Sequence, residues 1–309
     1  MKTLTFQQSE PERLDAVVTR GLNLTRSQIQ KHITSGKILV NGAMANSRTR
    51  VDDSMTITYD PTILTVPEKT GVLPSFDVLF ENSDVLVINK PAGVLVHDAE
   101  GSREFTLVDA LIKQEPQIAD VGDKQERAGL VHRLDKFTSG VMIVAKTQEA
   151  FEHLKSQFKN RLTEKHYTAL VMGQLSEPSG TIDFPIERSK NTGRMAARSH
   201  VEGGRSAITH YDTIKAYPHH TLLDVNIETG RTHQIRVHFF AIDHPVVGDT
   251  LYRQRGVKPM NIPTEGRAGG RLFLHARSLS ITLPDGERKT FEAPLPKELE
   301  RVLEEIPKL

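Results

Sequence analysis

Between Gly129 and Lys146 the chain reads GLVHRLDKFTSGVMIVAK, which places His132, Arg133, Asp135, Thr138 and Ser139 between two apolar runs. The apolar runs ask for buried sheet, and the polar knot has to be accommodated at its edge. A lone ionised carboxylate in a dry interior costs several kcal/mol even after relaxation, roughly enough to unfold a marginal domain. Asp135 therefore needs a cationic partner, a wet cleft, or neutrality. For an arbitrary Arg-x-Asp string a structural ion pair is the commoner outcome. Here Thr138, Ser139 and Gly140 follow at once and make a hydroxyl-rich turn before a strand, Val141 to Ala145, an arrangement suited to a loop that presents a carboxylate at a strand end.

The 309 residues suffice for one sizeable core plus a small accessory domain. There is no cysteine, which removes disulfides and thiolate metal sites and agrees with a reducing compartment. The N-terminal MKTLTFQQSEPERLD lacks an apolar segment and no apolar run approaches the length of a membrane span, so a cytoplasmic protein without a membrane partner is expected. A net charge of +1 conceals an uneven distribution: from Ala16 to Val51 the chain carries Arg20, Arg26, Lys31, Lys37, Arg48 and Arg50 and no acid. That segment predicts two helices and a small sheet. Leu14, Val17 and Val18 have helical spacing, Thr25 and Ser27 suit the start of a second helix carrying Ile29 and Ile33, and Gly36 suits its end. Asn41-Gly42 is a hairpin turn, and Met55, Ile57 and Tyr59 alternate as a strand.

Residues 61–75, punctuated by Pro61, Pro67, Gly71 and Pro74, read as a linker. Beyond it, strands are expected over Asp77 to Glu81 and Val85 to Asn89, then a loop through KPAGVLVH (Lys90 to His97), where Pro91 cannot continue a ladder. Phe151, Leu154, Phe158 and Leu162 predict an amphipathic helix behind Thr147. EKHYTALVMG reads as a strand with Tyr167 in phase with Ala169 and Val171. Leu223, Val225 and Ile227 predict another strand, and a helix is expected from about His233 to Ile242. Cationic side chains near that helix start, with its orphan amides, would favour an anion.

HRLDKFTSG, KPAGVLVH, the triplet Lys165-His166-Tyr167 and GRTHQIRVH occur in the order of the motifs of the RluA-type pseudouridine synthases, which isomerise uridine within RNA, and this chain is identified as a member of that family. RLDAVV…LTRSQIQKHITSGKILVNG likewise resembles the alpha-L RNA-binding domain named for a small-subunit ribosomal protein. The two resemblances cover roughly residues 12 to 58 and 76 to 295. They imply an α+β protein: an RNA-binding domain over 1–60, a linker over 61–75, and over 76–309 a catalytic domain on a large mixed, mainly antiparallel sheet. They place the catalytic aspartate at Asp135, a base-stacking tyrosine at Tyr167 and, at Arg236, the arginine that pairs with the aspartate, expected to do so through a bidentate guanidinium. Arg133, His132, Thr138, Lys165, Arg231, His233, Gln234, Lys90 and His97 are the further candidates for RNA contact around the site, with Arg26, Lys31 and Lys37 in the N-terminal domain. Phe137 stands where the family usually has an acid, and Asp98 where a proline is common, departures that bear on substrate preference or loop shape.

The resemblance implies RNA as partner, ribosomal RNA favoured and transfer RNA as alternative, with no cofactor, no metal and a monomer expected. His132, His233, His238, His244 and His275 match no usual metal-ligand spacing. Two glycine-rich basic stretches, Arg188 to Arg205 and Arg253 to Arg271, read as RNA-touching loops. Two other functions stay open on sequence alone: an inactive RNA-binding or ribosome-assembly protein, and a carboxylate hydrolase, which would need a second acid beside Asp135.

Overall fold

The computed structural model describes residues 1–8, 10–64, 69–98, 102–263 and 271–308, and divides into two compact units, Met1–Lys69 and Thr70–Leu309. In the first unit the order is β1 (Lys2–Leu4), β2 (Glu12–Arg13), α1 (Leu14–Leu22), α2 (Arg26–Thr34), β3 (Ile38–Val40), β4 (Ala43–Met44), β5 (Arg50–Val51) and β6 (Ile57–Tyr59). Local chemistry accounts for most of these boundaries. Thr25 and Gln28 form a reciprocal capping box at the start of α2, and Gly36 follows its end at φ 71°, a left-handed conformation that costs glycine nothing. Asn41 and Gly42, both at positive φ, make the two-residue turn between β3 and β4, the twist of which matches paired strands. Leu14, Val17, Val18, Ile29, Ile33, Ile38 and Ile57 fill the core of this unit. The stretch read as a linker begins with a 3-10 turn, Pro61–Leu64, whose Ile63 is buried in that core, so the unit runs on past Asp60. Residues 65–68, including Pro67, lie outside the described residues.

The second unit contains β7 (Asp77–Glu81), β8 (Val85–Lys90), α3 (Leu107–Gln114), β9 (Ser139–Ala145), α4 (Gln148–Lys159), β10 (Glu164–Met172), β11 (Ser179–Asp183), β12 (Ile186–Arg188), β13 (Met195–Ala197), β14 (Ile208–Ala216), β15 (His220–Ile227), α5 (Gln234–Ala241), β16 (Leu274–Thr282), β17 (Arg288–Glu292) and α6 (Lys297–Glu305). Nine of these strands form one sheet in the order β11-β14-β15-β10-β16-β9-β8-β7, with β17 also paired to β16. Every pairing in it is antiparallel except β9 with β16. That parallel contact requires Gly140: a Cβ there would sit 2.1 Å from the Ala276 carbonyl oxygen, and the residue has φ 118°. The motif glycine thus lets β16 close against the strand that carries the polar knot.

Two apolar layers cover the sheet. One, including Leu86, Ile88, Leu107, Met142, Val144, Tyr167 and Phe239, underlies the polar motifs; the other gathers Val85, Val87, Val141, Ile143, Phe151 and Leu154 against α4. The helix predicted through Leu162 stops earlier. Asn160 caps α4, Arg161 turns left-handed at φ 59°, and Leu162 is left exposed. The basic stretch from Arg188 to Arg205 is partly a hairpin, β12 with β13, rather than a loop throughout. Of the second such stretch, Gly266, Gly269 and Gly270 lie outside the described residues, and Arg271 at its end is fully buried, bonded to Glu298 and Ser139, which removes it from any surface contact. Among the described residues no helix is long and apolar enough to cross a membrane.

Candidate active site

Asp135 sits on a tight turn, closed by the Thr138 amide donating to the Asp135 carbonyl at 3.1 Å, at the entry of β9. Across the sheet end, α5 brings Arg236, 101 residues away in sequence, to donate from Nη1 to Asp135 Oδ2 at 3.0 Å. The expected bidentate pairing is not what forms. The fork of Arg236 is occupied by Asp249, with Nε to Oδ2 at 2.7 Å and Nη2 to Oδ1 at 3.0 Å, and the guanidinium lies over the Tyr252 ring, 5.0 Å from its centroid. Asp249 is itself fully buried and also accepts the Leu251 and Tyr252 amides. It therefore fixes Arg236 by its Nε–Nη2 edge and leaves Nη1 as the nitrogen that reaches Asp135. Sequence reading passed over Asp249, although HPVVGD ends the same polar segment; an acid following an arginine-bearing helix was the available signal.

One further group approaches the carboxylate, His233, with Nε2 3.9 Å from Oδ2. His233 is not the first helical residue but caps α5 from a left-handed conformation, φ 58°, and its Nδ1 shares a hydrogen bond with the Tyr252 hydroxyl at 2.9 Å. Burial, opposed by the Asp135 charge, lowers its pKa, favouring the neutral ring. Among the described residues no donor reaches Asp135 Oδ1, and the carboxylate side chain keeps 16 % of its exposure. It faces a cavity shared with Arg133, Leu134, Thr138, Tyr167, Ile227, Arg231, His233 and Arg236. Tyr167 enters from β10 with its hydroxyl pKa raised by burial and, second, by the Asp135 charge, so it stays a neutral apolar wall with a donor at its tip. Thr138 is 2 % exposed and among the described residues its hydroxyl has no hydrogen-bond partner, unusual for a buried polar group.

The other candidates divide sharply. Arg133 is exposed at the cavity rim and donates from NH1 to Nε2 of His97 at 3.2 Å, while His97 Nδ1 donates to the Asp98 carbonyl at 2.9 Å. Arg231 donates from Nε to the Ser206 carbonyl and keeps the rest of its guanidinium for the cavity. Lys165 is buried two residues before Tyr167 and lines an adjoining basic cavity.

Three candidates are spent on structure. The Lys90 ammonium, fully buried, donates to the carbonyls of Pro91, Val94 and Lys136, tying the KPAGVLVH loop to the Asp135 turn. Gln234, 3 % exposed, accepts from Thr229 Oγ1 and the Arg231 amide and donates to the Ile208 carbonyl and Thr209 Oγ1. His132 accepts the Ile143 amide at 3.0 Å and stacks on Phe158, completing a stretch of the β9 edge; burial lowers its pKa to about 3, so it is a neutral filler.

In the first unit Arg26 is claimed by Asp15 at 2.8 Å, an acid that lies just outside the acid-free run. Lys31 and Lys37 are exposed.

Comparison with known proteins supplies the family of each unit. Residues 84–241 match the model of the RNA pseudouridylate synthase family and residues 12–57 that of the S4 domain. An uncharacterized RNA pseudouridine synthase of Synechocystis sp. is 38 % identical over 94 % of this chain and 88 % of its own length. A protein of Xanthomonas campestris pv. campestris named ribosomal large subunit pseudouridine synthase D is 38 % identical over the same shares. The solved structure of human RNA pseudouridylate synthase domain containing 1 superposes with a TM-score of 0.57 at 26 % identity, covering 78 % of this chain and 99 % of the human one.

Proposed function

The chain belongs to the RNA pseudouridylate synthase family, and on that premise we propose that it isomerises uridines of large-subunit ribosomal RNA, with Asp135 as the nucleophile acting on a flipped-out nucleotide. The observation that carries the catalytic assignment is the half-satisfied carboxylate: one oxygen of Asp135 is held by Arg236, the other meets no donor among the described residues, and the side chain lines the Tyr167 cavity. A carboxylate in that state has a free lone pair and a fixed direction.

The target uridine leaves its stack, at a cost of a few kcal/mol, and its ring lies along Tyr167. Arg133 at the rim fills the space it vacates. Asp135 bonds either to the uracil ring or to C1′ as the bond between N1 of the base and C1′ of the ribose breaks, the base turns while held in the cavity, C5 bonds to C1′, and the carboxylate is released. The C5 proton leaves and N1 gains one, so the product has the composition of the substrate. The Asp135–Arg236–Asp249 array keeps the nucleophile oriented throughout. The choice of large-subunit RNA rests on the presence of an S4 domain and on the name of the Xanthomonas relative. Exposed Lys31 and Lys37 on the S4 unit are the phosphate contacts proposed there. Action in the cytoplasm as a monomer goes with this reading.

The test is Asp135→Asn in the full chain, assayed for pseudouridine on unmodified large-subunit ribosomal RNA and on transfer RNA. Product on the ribosomal RNA is expected to fall at least about a thousandfold, with RNA affinity within about threefold of wild type, roughly 0.7 kcal/mol. Turnover surviving in the variant rejects the nucleophile, and wild-type product on transfer RNA alone rejects the ribosomal assignment.

A further inference from the structure

The wall of Tyr167, Ile227, Gly230 and Arg231 has a second cavity on its far side. Its lining is one-sided in charge. Arg161 leaves α4 in its left-handed turn, Arg205 and Arg231 come from the segments flanking β14 and β15, and Lys165 rises from β10 on the same face as Tyr167. Against these cations the lining has one carboxylate, Glu228, which is already engaged with His210 at 2.9 Å and with Arg161 at 3.8 Å. Lys155 also borders the space but is paired with Asp123 and Glu152.

Lys165 is the informative member. It is 9 % exposed, yet among the described residues its ammonium has neither a hydrogen bond nor an ion pair. Lysine ordinarily buries its stem and keeps its head in water or in a pair. Burial, and after it the Arg161 charge, lower its pKa to about 8, and Arg231 is lowered by burial, Arg205 and Arg161. The fold thus gathers like charges around one open space, into which the Lys165 head opens while its stem is buried, with Glu228 the one opposing charge. An anion entering among them would relieve the repulsion and supply the acceptor that Lys165 lacks.

We propose that the cavity lined by Lys165, Arg161, Arg205 and Arg231 is a phosphate subsite that takes the RNA backbone phosphate adjoining the target uridine. The inference rests on the functional reading above and adds what it leaves out: recognition of the linkage beside the base, one side-chain wall away from Asp135. Apolar Phe158, Val131 and Ile227 border the same space and leave room for the neighbouring sugar. A substrate must then be a polynucleotide, since a free nucleoside cannot occupy both cavities.

The experiment compares wild type, Lys165→Met and Lys165→Arg as full chains. The probe is a fluorescent pentauridylate in which the two linkages around the central uridine are either phosphodiesters or uncharged methylphosphonates. Lys165→Met is expected to bind the charged probe about tenfold more weakly and the uncharged one within about twofold, the loss of one charge-assisted hydrogen bond. Lys165→Arg retains most of the discrimination. A Lys165→Met variant that binds both probes equally weakly, or that discriminates as wild type does, overturns the subsite. These readouts do not involve turnover, so an inactive wild type or an active Asp135→Asn protein would defeat the functional reading and leave the probe difference to be judged by itself.

Discussion

Each unit of this protein contains a carboxylate held by arginine, and the two are treated in opposite ways. In the N-terminal unit Asp15 has no exposure and is saturated: Arg13 gives it two hydrogen bonds, at 3.0 and 2.8 Å, Arg26 one at 2.8 Å and Gln30 one at 2.7 Å. In the catalytic unit Asp135 has one guanidinium N–H and an oxygen left over, because Asp249 takes the fork of Arg236. Saturation makes Asp15 a structural cross-link between α1 and α2. Incomplete saturation, maintained by a second acid, makes Asp135 available for chemistry. The presence of an ion pair does not separate the two cases; the count of satisfied lone pairs does.

The largest effect that would break this contrast, after Asp135→Asn itself, is expected at Asp249. Asp249→Asn removes the charge that anchors Arg236, freeing the fork to close on Asp135, so kcat should fall about a hundredfold with KM within about threefold, close to 3 kcal/mol of lost transition-state stabilisation. Stopped assays on ribosomal RNA check this, and an unchanged kcat would show that Asp135 needs no such restraint.

Next comes Asp15→Asn, expected to cost about 2 kcal/mol of stability, below the figure for a fully buried pair since Arg13 and Arg26 are roughly half exposed and can rehydrate. Chemical denaturation of the variant should show the loss, with turnover of RNA retained.

The pH dependence sharpens the same difference. Hydrogen bonds from Arg26, then Arg13, hold the Asp15 carboxyl well below its ordinary range. Its contribution is complete above the unfolded carboxylate pKa and drains only as pH falls below about 4. In the catalytic unit burial lowers His275 to about 4 and His132 to about 3, so folding keeps both neutral. Their lowered pKa values mean that stability is complete above the unfolded histidine pKa and is lost as pH falls from about 6.5 toward those values. Denaturation monitored separately in the two units should therefore show the catalytic unit weakening first on acidification; simultaneous loss, or the reverse order, would contradict this account.

The smallest expected effect on stability belongs to Thr138→Val. Its hydroxyl is buried without a partner beside the site, so the isosteric change should alter stability by less than about 1 kcal/mol. If that hydroxyl instead meets the flipped nucleotide, kcat/KM drops about tenfold. Equal activity with raised stability would mark it as unused.

Much of the molecule is legible from contiguous residues. The capping box at Thr25 and Gln28, the Asn41-Gly42 turn, strand β8, and the Thr138-Ser139-Gly140 entry to β9 all depend on neighbours within a few positions. The motifs likewise singled out Asp135, Tyr167 and Arg236, which the fold brings to one cavity. What sequence reading misjudged were the partners. Arg26 reads as free in an acid-free run until Asp15 folds beneath it, and Lys90 and Gln234 read as contacts until three carbonyls and the β14 backbone use them up.

The sequence by itself determined where the chain turns, which faces are apolar and which side chains carry reactive groups, since those follow from local sterics and hydrophobic periodicity. Only the tertiary structure decided which acid owns which arginine and, among the described residues, that Lys165 is buried without an ion pair and that one oxygen of Asp135 is left without a donor. Such outcomes depend on which distant groups arrive within about 3 Å, and a hydrogen bond weakens too steeply beyond that distance for proximity along the chain to stand in for it.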